Sequence, residues 1–141
     1  MRCKDYRYEL KDLQDVAKDL LLFAGNTLVW TFTGELGAGK TTLIKEIAEQ
    51  LGSSDTVSSP TYTIVNQYLH SKGNIFHIDA YRLEDEEEAF QAGIEEIIDS
   101  GDFVWIEWPQ KIENLLPEQI LDIQITVHPE HRTLTATLKG N

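Results

Sequence analysis

Residues 34–41 read Gly-Glu-Leu-Gly-Ala-Gly-Lys-Thr and complete the pattern G-x-x-x-x-G-K-[ST]. No other stretch restricts the fold so tightly. The pattern is a phosphate cradle only when a buried strand enters it and a helix leaves it. Its glycines let the backbone turn sharply, so that several N–H groups aim inward at a β-phosphate. Lys40 then places its ammonium against the β/γ oxygens, and the Thr41 hydroxyl ligates Mg²⁺. The helix that follows points its positive end at the same anion.

Both flanks meet that requirement. Thr27-Leu28-Val29-Trp30-Thr31-Phe32 is an apolar, β-branched run that predicts a buried strand. Leu43, Ile44, Ile47, Ala48 and Leu51 recur at helical spacing, and Gly52 is a natural stop. The expected ligand is therefore a nucleoside triphosphate with a divalent metal. No Asn-Lys-x-Asp sequence is present to specify guanine, which leaves ATP as the default.

The rest of the chain predicts an α/β order. A short strand is expected at Tyr6-Arg7-Tyr8-Glu9, then an amphipathic helix over 10–24 with Leu13, Val16, Ala17, Leu20 and Leu21 on one face. Gly25-Asn26 ends it. After the phosphate-binding unit, residues 53–61 read as a loop, 62–69 as a strand, Ser71-Lys72-Gly73-Asn74 as a turn, and 75–79 as a strand. Residues 84–99 read as helix with a break at Gly93, and 102–108 as an apolar strand ended by Pro109. Pro117 opens a C-terminal strand pair, 120–127 and 132–138, turning at Pro129-Glu130-His131. The fold class is α/β, a single P-loop NTPase-like domain over 1–141. Its sheet should be central and mostly parallel, flanked by helices and extended by the antiparallel C-terminal pair.

Size and charge narrow the function. At 141 residues the chain suits one core and has no room for a large lid or acceptor domain. With 24 acidic and 12 basic side chains, the net charge of −12 repels a phosphate backbone and opposes strong autonomous nucleic-acid binding. Cys3 is the sole cysteine, so no intrachain disulfide forms and a reducing compartment is expected. The N-terminus lacks an apolar signal core, and Leu20–Ala24 is too short to span a bilayer. A soluble cytoplasmic protein, with no membrane partner, follows as the expectation.

A triphosphate with Mg²⁺ calls for acidic groups at strand ends near the loop. Ile75-Phe76-His77-Ile78 ends in Asp79, and Phe103-Val104-Trp105-Ile106 ends in Glu107. One carboxylate is expected to hold the metal, directly or through water, and the other to orient the attacking water or sense the γ-phosphate; the residues alone do not divide the roles. The plainer reading is that each acid caps a loop.

Ser58-Ser59-Pro60-Thr61 occupies the place of a switch segment, where a hydroxyl such as that of Thr61 reaches metal or γ-phosphate; ordinary turns use the same residues. Trp108 reads as an indole that stacks on a base or docks a partner, or as a half-buried structural tryptophan. Arg82 pairs with Asp79, reaches a phosphate, or sits in a surface salt bridge. His77 shares a strand face with Asp79 and so neighbours the site, its plainer role being a satisfied structural histidine. Glu84-Asp85-Glu86-Glu87-Glu88 reads as a helix start favoured by the dipole, the other reading being an acidic docking patch for a basic partner.

Four segments in order, Gly34–Thr42, Ser59-Pro60-Thr61-Tyr62-Thr63, His77-Ile78-Asp79-Ala80-Tyr81-Arg82-Leu83 and Ile106-Glu107-Trp108-Pro109, resemble the TsaE (YjeE) family over about residues 8–138. The resemblance implies a small bacterial ATPase of tRNA N6-threonylcarbamoyladenosine formation at position 37. It implies hydrolysis of ATP in complex with TsaB and TsaD homologues, with TsaD performing the transfer and hydrolysis resetting the complex. tRNA would then be met only through the partner. Carried onto this chain, Gly37, Ala38, Gly39, Lys40, Thr41 and Thr42 bind phosphates, and Thr41 and Glu107 hold Mg²⁺. Asp79 is the acid of a His-x-Asp motif, and Thr61 and Trp108 are cofactor contacts. Arg132, with the helix start near Glu9 and Leu10, is a candidate for the adenine. The chain departs from the family at Glu35, where Asp is frequent, and at Lys45-Glu46, where Arg-Gly is usual.

Three readings compete: a partner-dependent ATPase, a P-loop small-molecule or nucleotide kinase, and a nucleotide-gated binding module without useful hydrolysis. The scattered basic residues form no arginine-rich lid, which weighs against the kinase. Two strand-end acids weigh against the module.

Overall fold

The structure, a computed structural model, describes residues 1–35, 37–57 and 64–140. A seven-stranded sheet runs in the order β1-β7-β6-β2-β5-β4-β3. Its strands are β1 (Arg2–Tyr8), β2 (Val29–Thr33), β3 (Val65–His70), β4 (Gly73–Asp79), β5 (Phe103–Glu107), β6 (Ile120–Val127) and β7 (Arg132–Lys139). The helices are α1 (Leu13–Ala24), α2 (Lys40–Gln50), α3 (Glu86–Gln91) and α4 (Ile94–Ile98). Short 3-10 segments lie at Leu10–Asp12, Ala80–Arg82 and Pro109–Leu115.

The parallel centre comprises β6, β2, β5 and β4. Antiparallel strands close both ends: β3 on β4, β7 on β6, and β1 on β7. The C-terminal hairpin thus enters the sheet through its parallel centre, with β6 beside β2 and only β7 returning antiparallel. The arrangement bears out the mostly parallel α/β sheet with antiparallel ends.

Alternation along the central strands sorts the core into two layers. On one face Trp30, Phe32, Ile75, Trp105, Leu121 and Ile123 meet Val16, Ala17 and Leu20 of α1 and Leu43, Ile44 and Ile47 of α2. Leu43, Ile44 and Ile47 are wholly buried, and each contributes roughly 1.5–3 kcal/mol by leaving water. On the other face Val29, Ile78, Val104 and Ile106 meet Ala89, Ile94, Ile98 and Ile112. The helical stretch over 84–99 breaks where expected: Gly93 adopts φ +79° between α3 and α4. Asp85 caps α3 by accepting the Glu88 N–H at 2.9 Å.

Several element boundaries differ from the sequence expectation, among them β4, which begins at Gly73 inside the expected 71–74 turn. β1 starts at Arg2 rather than Tyr6, because its whole length pairs with β7, from Arg2 opposite Leu138 to Tyr8 opposite Arg132. Its outer half is polar and exposed, so hydrophobic alternation gives no sign of it. The 62–69 strand is described only from Val65, and Thr61 with the rest of the switch-like segment 58–63 lies outside the described residues.

Candidate nucleotide-binding site

β2 delivers the chain to the loop, and α2 begins at Lys40. Gly39, at φ +93°, sits at the N-cap of α2 in the left-handed region that favours glycine. Gly34 is required for a different reason. A Cβ there would meet the Ile125 carbonyl oxygen at 2.9 Å, because the loop's first residue packs against β6. Gly37 also has positive φ, at +80°. Ala38 is buried, Thr41 is half-buried and Thr42 is exposed on the first turn of α2.

Lys40 is the central cation. Only 6% exposed, its Nζ donates to the Gly34 carbonyl at 2.6 Å and lies 4.2 Å from the centre of the Trp108 ring. Burial pushes its pKa down, while Glu107 and then Asp79 pull it back up. Both strand-end acids therefore act on the ammonium of the glycine loop. They reach the same sheet edge because β4 and β5 pair in parallel with Asp79 opposite Glu107.

The surroundings of the two acids differ. Asp79 accepts the Tyr81 N–H at 3.1 Å, which is the loop-capping arrangement, and is half-buried. Glu107 is 5% exposed, and its Oε2 takes a 2.7 Å hydrogen bond from His77 Nε2. His77 is completely buried, and its Nδ1 lies 3.0 Å from the Tyr68 hydroxyl of β3.

Trp108 leaves β5 with φ 58° and ψ 57°, and it is the only non-glycine residue of positive φ among the described residues. Such a conformation costs on the order of 1–3 kcal/mol for a bulky residue. It turns the chain out of the strand and sets the indole over Lys40 and against Tyr81, with ring centres 5.2 Å apart. Pro109 then starts the next 3-10 segment. Arg82 is exposed and makes no ion pair among the described residues, so neither the pair with Asp79 nor a surface salt bridge forms.

Beside the loop lies a cleft of about 360 Å³, lined by Tyr8, Glu9, Leu10, Leu13, Ala38, Gly39, Thr42, Pro129, Glu130, His131 and Arg132. It brings the three residues singled out for the adenine, Glu9, Leu10 and Arg132, beside Ala38, Gly39 and Thr42 of the phosphate-binding segment. The Arg132 Nε donates to the Ala38 carbonyl at 3.2 Å, tying β7 to the loop. His131 stacks on His128 with ring centres 4.5 Å apart. Its pKa is pushed below the ordinary value by partial desolvation first, then by Arg7 and His128. Tyr8, buried at the cleft, has its pKa raised by burial and partly restored by Arg132. Sequence reasoning missed Tyr8 and His131, since the pairing of Tyr8 with Arg132 is a matter of β1–β7 register. A slightly larger cleft, about 430 Å³, opens on the other face around Thr31, Asp122 and Lys139, lined by no residue of the glycine loop.

The sheet, the loop at the C-terminal end of β2 and the convergence on Lys40 define the class, an α/β domain of P-loop NTPase-like fold. The family model described as "Threonylcarbamoyl adenosine biosynthesis protein TsaE" matches residues 8–134, and this chain belongs to the TsaE family. A "tRNA threonylcarbamoyladenosine biosynthesis protein TsaE" from Bacillus subtilis (strain 168) is 38% identical over 132 residues, covering 93% of this chain and 82% of the relative. The Rickettsia prowazekii protein of the same description is 33% identical over 135 residues, covering 93% and 91%. Among solved structures, the crystal structure of YdiB from Bacillus subtilis superposes with a TM-score of 0.70 at 32% identity, covering 99% of this chain and 88% of that one.

Proposed function

We propose that this chain binds ATP with Mg²⁺ at the Gly34–Thr41 loop and hydrolyses it in the service of tRNA threonylcarbamoyladenosine biosynthesis, the process for which its relatives are named. The observation that carries the reading is the buried Lys40 ammonium, held at the mouth of a glycine loop and acted on by two strand-end carboxylates. A buried lysine whose charge is disfavoured by desolvation gains most from an anion brought beside it.

The donor set suits Mg²⁺. The Thr41 hydroxyl and the Glu107 and Asp79 carboxylates are hard oxygen donors, and Mg²⁺ takes one or two carboxylates together with substrate phosphates and water. Among the described residues no cluster of three His, Cys, Asp or Glu forms, so an all-protein cage is not the arrangement on offer. Bound there, Mg²⁺ neutralises charge on the phosphate oxygens. The loop N–H groups of Gly37 to Thr42 hold the phosphates, and Lys40 moves from the Gly34 carbonyl to the β/γ oxygens. Glu107 is assigned to the metal side. Asp79, nearer solvent, is assigned to the attacking water. Thr61 is a further candidate ligand from the switch-like segment. The cleft of Tyr8, Leu10, His131 and Arg132 is the place offered to the base, and Trp108 closes the phosphate end.

Hydrolysis is proposed to reset a complex with TsaB and TsaD homologues, tRNA being met only through the partner. The net charge of −12 favours that division. A cytoplasmic location accords with it, and among the described residues no helix is long and apolar enough to cross a membrane.

The test is a phosphate-release assay with the chain alone and with its TsaB and TsaD homologues. Slow release alone and several-fold faster release in the complex are expected. Lys40→Ala should lower the stimulated rate by about 10²-fold or more. Equal rates with and without partners, or γ-phosphate found on a small acceptor, would count against the proposal.

A further inference from the structure

We infer that His77 is a positioning residue, which presets the Glu107 carboxylate for the metal through a hydrogen bond, while Tyr68 on the edge strand engages the other ring nitrogen. This rests on the reading of Glu107 as the metal-side carboxylate. It goes beyond that reading by giving a role to a residue that touches neither metal nor nucleotide.

Burial is the first observation. His77 is 0% exposed and lies on the aromatic face of the sheet, directly opposite Trp105 on β5. Its neighbour on the same face, Ile75, shows that an aliphatic side chain suits this layer. An imidazole there costs free energy unless both nitrogens are satisfied. They are, and by different partners. An ionised carboxylate only accepts, so the 2.7 Å contact is Nε2–H donating to Glu107 Oε2. When the ring is neutral, its other nitrogen, Nδ1, is then the acceptor for the Tyr68 hydroxyl, 3.0 Å away. β3 thus completes the hydrogen bonding of the ring that β4 presents to β5.

The second observation is what remains of Glu107. His77 occupies Oε2, and among the described residues Oε1 makes no hydrogen bond. One oxygen is anchored and the other is left without a hydrogen bond among the described residues, on a carboxylate whose charge acts on Lys40. Partners that orient a ligating carboxylate set its rotamer in advance, and losing one typically costs about 10–100-fold in metal affinity. The His-x-Asp spacing follows from this arrangement. β4 places Asp79 beside Glu107 at the sheet edge and, two residues earlier on the same face, His77 beneath it.

The test separates this role from packing by two amide substitutions. His77→Gln keeps an N–H near the position of Nε2 and so keeps the bond to Glu107. His77→Asn puts its amide near Nδ1, toward Tyr68, and loses Glu107. For each folded protein, ADP affinity is measured by calorimetry without Mg²⁺ and across a Mg²⁺ titration. His77→Asn should need about tenfold more Mg²⁺ than wild type to reach the same tightening, with Mg²⁺-free ADP affinity unchanged. His77→Gln should stay within a few-fold of wild type. An unchanged Mg²⁺ requirement in His77→Asn, or equal shifts in both variants, overturns the positioning role.

Wild-type protein supplies a readout that no folding defect can remove. Long-range proton–nitrogen NMR should show His77 in the Nε2–H tautomer, and the Nδ1–H tautomer would overturn the inference. If wild-type ADP binding ignores Mg²⁺, or Glu107→Gln leaves the Mg²⁺ response intact, the assignment of Glu107 fails, and the His77 role falls with it.

Discussion

Gly34 and Gly39 belong to one motif but are required by different forces. Gly39 serves for its left-handed backbone, at φ +93°. Gly34 serves for the space a Cβ would take from the Ile125 carbonyl, 2.9 Å away, and from the Ala38 Cβ, 3.2 Å away. The carbonyl belongs to β6 and cannot rotate aside as a long side chain would. Gly34→Ala should therefore cost about 1–3 kcal/mol in denaturant unfolding, the usual penalty of overpacking, and weaken ADP binding because Lys40 rests on this residue's carbonyl. A variant as stable as wild type would show that the loop can retreat from β6. Such residue-level facts were only half legible in the sequence. Asp79 and Glu107 stood out because each closes an apolar run. The bond between His77 and Glu107 could not be read, because it depends on the parallel register of two strands separated by α3 and α4.

Strand order and helix placement show the same division. The loop, its flanking strand and helix, and the break at Gly93 were readable from local chemistry, since glycine and apolar spacing act within a few residues. β1 was legible only at its end, because pairing with β7 rather than its own pattern holds its polar half. What ties β1 to α1 is also polar. Asp19 on α1 accepts from the Tyr6 hydroxyl and pairs with Lys4 at 2.5 Å. Lys4, then Tyr6, holds the Asp19 carboxyl below its ordinary pKa. A depressed carboxylate contributes stability that is present above its unfolded pKa and is lost as pH falls through the folded one. With its side chain 36% exposed, the link is screened and worth about 0.2–1 kcal/mol. Asp19→Asn should lower stability by that amount near pH 7, with the gap closing below about pH 4. A gap that persists at pH 2–3 would place its origin in packing instead.

At the scale of the whole molecule, one sheet carries two unlike faces, and the aromatic face carries the site. Trp30, Phe32, Phe103 and Trp105 form a continuous layer, with the ring centres of Trp105 and Phe103 5.9 Å apart and those of Trp30 and Trp105 6.0 Å apart. His77 and Glu107 are the polar groups set into the end of that layer nearest the glycine loop. A rigid apolar floor limits the positions open to the carboxylate, so the precision of the site is a property of the sheet as much as of the loop. The placement of the three tryptophans has a spectroscopic consequence. Trp30 and Trp105 are sealed at 0% exposure, while half-buried Trp108 carries an ammonium 4.2 Å above its ring. Any ligand that draws Lys40 toward an anion removes that charge from one fluorophore and leaves the other two untouched. Acrylamide should quench Trp108 selectively, ADP should change its emission, and Trp108→Phe should silence the response, so the chain carries a built-in optical gauge of where Lys40 rests.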